Sequence, residues 1–475
     1  MANGQLPGYL ASAAPNPQAN RAPWYKTTAP AYAGIFLSVP FMAGMAGALQ
    51  YGSVWAATIG LIVGALFCFL LYYVPGMMGM RSGMPLYVVG TSTFGTHGGL
   101  LIPGILMGIL QIGWHAVFTF TATTFFMSAM GWEVVAGEPT FWIVAVVWGL
   151  VFAFVGAVGI SWLGALSSFI PAVPLIMIVV AAIANGGGLS QFQATFALPE
   201  VSPALIPALG LGAFAAIQAA AGFFATAGAA GADFGTNSRN PRDVTLGGFF
   251  GISLAAFVAG FFGILLMAGA MGEDASIAKD AGMGTGTLDT FAAFIGSIGH
   301  VGGTMSKAMF WLFVVACICP TAFCVFIAGN VFSTLLPKVP RIPITMVGGV
   351  VGVILAGSGI AADLVSFFLI IGASFGPIVG AMTADYLRSG GWAGPRRGIN
   401  WAGYIAWACG LFVGLLGRIP EIGFPYGLST LLSFVVGFAL YIILADVGCE
   451  PPVVSLPKPA QEEPAEAPEA EAPAP

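Results

Sequence analysis

The sequence predicts an all-α polytopic membrane protein with twelve transmembrane helices. Of its 475 residues 58% are hydrophobic and only 7% charged, where a soluble domain carries about 25% charged residues. Mean hydropathy is +0.93, and apolar runs repeatedly reach the ~20 residues that cross a bilayer. These runs are continuous rather than alternating in polarity, which argues against an outer-membrane barrel.

Apolar runs between polar or Pro/Gly breaks place the twelve spans, in order, near 31–50, 54–75, 102–129, 140–158, 162–184, 204–227, 245–271, 304–336, 343–357, 362–386, 400–417 and 426–446. Spans three and eight are long enough to tilt or to include interfacial turns. Residues 1–29 read as an irregular tail with no basic stretch, apolar run and cleavage site in series, so the first apolar segment is expected to be a retained helix. Residues 30–447 form the helical domain, and 448–475, rich in Pro, Ala and Glu, reads as a disordered acidic tail.

Charge placement sets the expected orientation. An even number of spans puts both termini on one side, together with the loops after even-numbered spans. That side holds Arg21, Lys26, Arg81, Arg239, Arg242, Lys338, Arg341, Arg388, Arg396, Arg397 and Lys458, against Lys279, Lys307 and Arg418 on the other, a division of 11 to 3. Basic residues stay inside, so both termini are expected in the cytoplasm of a multi-pass cell-membrane protein.

Two spans carry breaks. Span one reads "LSVPFMAGMAGAL", with Pro40, Gly44 and Gly47, and span six reads "GFFATAGAAGADF", with Gly222, Gly228 and Gly231. They lie five spans apart, at matching places in two possible halves, about 30–185 and 203–387, with two extra helices at 400–447. Broken helices at matching places point to a binding site near the bilayer midplane, because freed backbone groups are tolerated only where they line a cavity. Small residues that allow close helix packing are the alternative reading.

Polar groups inside the spans supply the candidate chemistry. Gln111, Trp114, His115 and Phe118 are spaced i, i+3, i+4 and i+7, so they share one face of span three. An aromatic slab beside an amide suits a flat heteroaromatic ligand; a histidine that caps a carbonyl of a neighbouring helix is the plainer alternative. An imidazole titrates near ~6.5 when unperturbed, which makes His115 a candidate for proton coupling. Span six adds Gln218, Phe223 and Phe224, and span eight has Pro320 and Thr321 in mid-helix. Cys317, Cys319 and Cys324 have no histidine or carboxylate near them in sequence to complete a metal site, so they read as apolar packing residues. No phosphate-binding loop, HExxH or GxSxG motif occurs, so neither an ATP-driven pump, an enzyme nor a resident cofactor is expected.

These stretches resemble the nucleobase:cation symporters of the cytosine/purine/hydantoin permease type. "LQIGWHAVF" is similar to that family's Gln-x-Gly-Trp element, "GADFGTNSRNPRDVTLGG" (231–248) to the stretch after its helix six, and "FGPIVGAMTADYL" (375–387) to its helix-ten signature. The resemblance covers most of residues 30–446. It implies a LeuT-like fold of five plus five helices in inverted repeat, and alternating-access symport of a nucleobase-like heterocycle with a monovalent cation, H+ or Na+. It implies ligand contacts from Gln111 and Trp114, with Phe224 on the other face of the ring. Gln218, Thr321, Phe323 and His115 are further candidates for the ligand. Phe41, Gly44, Cys319, Pro320 and His115 are candidates for the coupling cation or proton. Span eight departs from the bacterial members, which carry hydroxyls and asparagines where this chain has Cys319, Pro320, Thr321, Ala322 and Phe323. Its proline is more like that of the proton-coupled fungal members. The expected partners are the ligand, the cation and the bilayer, not nucleic acid, with the protein acting as a monomer. An amino-acid or small-amine carrier of the same architecture, or a non-transporting sensor, are the competing readings.

Overall fold

Proline and capping chemistry decide where the helices start, bend and stop. The computed structural model describes residues 6–159, 170–193, 208–285, 288–419 and 428–456. The start of span five, the first residues of spans six and twelve, and the tail from 457 lie outside them. Among the described residues, nine helices are long and apolar enough to cross a membrane, ten if the bent pair Thr28–Phe36 and Val39–Tyr51 is one span. Two shorter apolar helices, Ala172–Ala184 and Arg341–Gly357, stand where spans five and nine are expected.

Span one bends by 53° between its halves. An unbroken helix would drive the Pro40 ring against the carbonyl of Phe36. Instead Ser38 is extended (φ −112°, ψ 147°), and Pro40 sits in the first turn of the second half, where its missing N–H costs nothing. Span two, Val54–Ser82, is capped by the Ser53 hydroxyl, which accepts from the Ala56 N–H, and ends at Gly83 with φ 69°. Span three, Leu106–Met130, follows a π-helical turn around Pro103. Span ten, Leu364–Arg388, starts on the Asp363 carboxylate, which accepts from the Ser366 N–H.

Span six corrects the expectation of a central break. Its helix Ala208–Ala229 runs on through Gly222 and Gly228, and the chain turns only at Ala230, before a short helix Gly231–Gly235. Gly222 and Gly228 serve close packing instead. A Cβ at Gly222 would lie 2.4 Å from the carbonyl oxygen of Phe368, and one at Gly228 would lie 2.9 Å from Cβ of Leu71. Small residues here let helices touch backbone to backbone, which supplies much of the association energy inside a bilayer.

Spans one, two, six and seven pack on one another, and spans three, four, eight and nine form a second group. Span ten packs against span six and against spans eleven and twelve. The first and last described segments meet: Tyr9 and the Arg396 carbonyl both bond Thr96, and Arg396 bonds Glu450. The described residues from Leu6 onward form a strap across the helices: Asn16 donates to the Thr236 carbonyl (3.0 Å), Arg21 to that of Met80 (2.6 Å), and Tyr9 to that of Thr96 (2.6 Å). Leu10 is buried beneath it. The start of the trailing segment is also held, because it supplies a counter-ion. Glu450 accepts from Arg396 (2.9 Å) and from Tyr441 (2.7 Å), and Val453 bridges to Arg396.

Candidate functional site

The bend in span one opens a cavity of about 440 Å³ between spans one, three, five, six and eight. Its walls include Leu37, Ser38 and Val39 from the bend, Gln111, Trp114 and Phe118 from span three, Phe223 and Thr226 from span six, and Cys319, Pro320 and Phe323 from span eight. Lys26 and Thr27 stand at its mouth, so it opens on the face that carries the strap. A second hollow of about 680 Å³ lies beside it with Gln111, Phe234 and Ile327 as shared walls, and the two adjoining hollows make up a vestibule.

Trp114 is the hub of an aromatic cluster. Phe223 meets it edge-on at 5.1 Å between ring centroids (79°), and Phe367 does so at 5.0 Å (73°). The Gln111 amide has only a long contact to the Met107 sulfur, 3.6 Å, which leaves most of its hydrogen-bonding capacity for a ligand. Ser38 is 8% exposed, and its hydroxyl has no partner among the described residues. A buried unpaired hydroxyl costs about 1–3 kcal/mol, so a ligand atom that bonds it recovers that cost.

The residues named from the sequence divide into two sets. Gln111, Trp114, Cys319, Pro320 and Phe323 line the cavity together. His115, Thr321, Phe224, Gln218, Phe41 and Gly44 do not. His115 is fully buried behind the wall, with Nδ1 donating to the Thr321 carbonyl at 2.9 Å, the plainer, carbonyl-capping arrangement. Trp148 of span four donates to the Thr321 hydroxyl, which donates in turn to the Cys317 carbonyl. This knot ties spans three, four and eight. Gln218 accepts from both the N–H and the hydroxyl of Thr430, joining span six to span twelve. Phe224 stacks on Phe36 at 5.1 Å (17°), away from the cavity. Phe41 packs on Phe36 and Phe223, and Gly44 makes room for the Phe368 ring.

A family model for permeases for cytosine/purines, uracil, thiamine and allantoin matches residues 15–440. The chain belongs to this family. No curated protein matches it by sequence. Among solved structures, the permease is similar to Mhp1, a nucleobase-cation-symport-1 family transporter. Against the inward-facing form the TM-score is 0.67 at 17% identity, covering 94% of this chain and 96% of that one. Against the closed form with bromovinylhydantoin bound it is 0.65 at 16%, covering 92% and 95%. A Na+-coupled sialic acid symporter in a substrate-bound outward-open state gives 0.56 at 11%, covering 92% of each chain. The permease is thus a membrane transporter for nucleobase-type compounds, not an enzyme, built on the LeuT-like fold of cation symporters.

The sequence set Phe224 against the ligand with Phe223 beside it, and it left Ser38 unmarked. Phe223, not Phe224, faces Trp114, because neighbouring positions on a helix point about 100° apart and an unbroken span six fixes which one turns inward. Ser38 carries no sequence signal beyond its nearness to Pro40, yet it occupies the bend itself.

Proposed function

We propose that this permease imports a neutral, flat nitrogen heterocycle by proton symport, through alternating access across the cell membrane, with both termini in the cytoplasm. The observation that carries the reading is the pairing of Trp114 and Phe223 with the Gln111 amide in a cavity whose one charged lining residue among the described residues is Lys26. Aromatic faces bind a flat ring by stacking, and an amide that both donates and accepts reads its edge. A carboxylate for a cationic ring is absent from that wall among the described residues, which favours uracil, cytosine, purine or allantoin over thiamine within the family's range.

Proton coupling is favoured over sodium by the span-eight wall. Its cavity-lining residues, Ala316, Cys317, Cys319, Pro320, Phe323, Cys324 and Ile327, bring no side-chain oxygen, whereas a hard cation is held by oxygen ligands. The test is uptake of labelled uracil, cytosine, hypoxanthine and allantoin into cells lacking their own permeases. One or more should accumulate, unlabelled thiamine or amino acids should not compete, and Trp114→Ala should abolish saturable uptake. Unaltered uptake by Trp114→Ala rules the site out.

A further inference from the structure

Asp233 lies on the short helix that follows span six, and among the described residues it is the one carboxylate lining either part of the vestibule. One of its oxygens accepts from the Leu86 N–H at 3.0 Å, and the side chain is otherwise open to the hollow. No basic side chain pairs with it among the described residues. The phenol of Tyr32 on span one donates to the Ala227 carbonyl (2.9 Å), and Tyr87 in the linker lines the same hollow. Spans three and eight present Gln111, Asn330, Ser333 and Thr334 to the same hollow, none ionisable. On span two, Tyr72 packs against Tyr32, and Arg81 lies over the Tyr386 ring. Arg21 of the strap is taken up by the carbonyls of Met80 and Ser238.

We infer that Asp233 is the group that hands the coupling proton to the cytoplasmic side, a role that rests on the proton-symport reading above. In the open vestibule its O–H bond breaks, the proton passes to vestibule water and the carboxylate remains. The neutral ring leaves by the same opening, so one positive charge crosses with each ring. Once the vestibule closes and the cavity opens to the opposite side, the carboxylate takes its next proton from water on that side and the O–H bond re-forms, since an unpaired charge walled in by protein is costly. The surroundings of Asp233 suit this role. The walls of the hollow thin the water around its carboxyl and push it up to about 6, where small changes in hydration move it between its two forms.

The test uses purified full-length permease in liposomes, with whichever of labelled uracil, cytosine, hypoxanthine or allantoin the wild type transports. Asp233→Asn keeps an acceptor for the Leu86 N–H and removes the ionisation. It is expected to exchange label in counterflow within about twofold of wild type, while accumulation driven by an inside-alkaline pH gradient falls to the equilibrium level. Asp233→Glu is expected to restore part of that accumulation. Asp233→Ser serves as the uncharged variant if asparagine does not insert. Gradient-driven accumulation at the wild-type level by either uncharged variant overturns the inference. So does a wild type that follows a sodium gradient and ignores pH, which leaves the ring-carrier reading standing. A wild type that counterflows none of the four compounds removes both.

Discussion

His115 Nδ1 and the Thr321 carbonyl oxygen stand 2.9 Å apart, in a bond that joins span three to span eight behind the ligand cavity. Nε2 of the same ring has no partner among the described residues and looks onto Gly349 and Gly352 of span nine. His115 is therefore a pin between helices. Its replacement by leucine should cost roughly 1 kcal/mol, the scale of an interhelical hydrogen bond in a membrane, read as a lower unfolding temperature in detergent. His115→Asn, which keeps a donor near Nδ1, should recover part of that loss. The pH profile of uptake should be the same for all three proteins, because the ring does not reach the cavity.

Adjacent phenylalanines should separate binding from stability. Phe223→Ala removes a ring that faces Trp114 and should raise KM for the transported compound several-fold with normal surface expression. Phe224→Ala removes a fully buried ring stacked on Phe36. It should cost about 3 kcal/mol, seen as lost thermal stability and less protein in the membrane.

Glycine should be indispensable only where backbones touch. A Cβ at Gly79 would sit 1.9 Å from the Ala232 carbonyl oxygen, while one at Gly47 would meet nothing within 4 Å. Gly79→Ala should force span two away from the short helix after span six and prevent folding, whereas Gly47→Ala should transport normally. Monodispersity on size exclusion separates the outcomes.

The charges near the chain's end make a fourth test. Arg396 is buried and bonds both Asp385 and Glu450 at 2.9 Å, while Ser92 and Thr93 donate to the other Asp385 oxygen. Asp385→Ala should cost about 3–5 kcal/mol, the penalty of stripping a partner from a buried cation. A chain ending before Glu450 should be less stable than one ending after Leu456; thermal unfolding in detergent compares them.

The fold was legible because a bilayer makes composition decisive. Span limits such as 140–158 fall within a residue of the helix Pro139–Val158. Pro40 marked the bend in span one through a clash that any proline imposes. Of the cavity wall, Gln111, Trp114, Cys319, Pro320 and Phe323 were legible. His115 shares a helix face with Trp114, but a face four residues wide looks partly into a cavity and partly into a neighbouring helix, and sequence spacing cannot divide the two. Gln218 misled for a related reason: its partner Thr430 lies 212 positions later, and no local pattern announces such a pairing.

The strap at the start of the chain sets a clock on assembly. Asn16 leaves the ribosome long before its acceptor at Thr236, 220 residues further on. At the usual pace of synthesis that is a wait of about 10–40 s. A segment made early is therefore among the last to complete its contacts. A protease site introduced near residue 16 would become fully protected once Thr236, after span six, joins the earlier contacts to Met80 and Gly83, so its cleavage would time the completion of the transporter in a living cell.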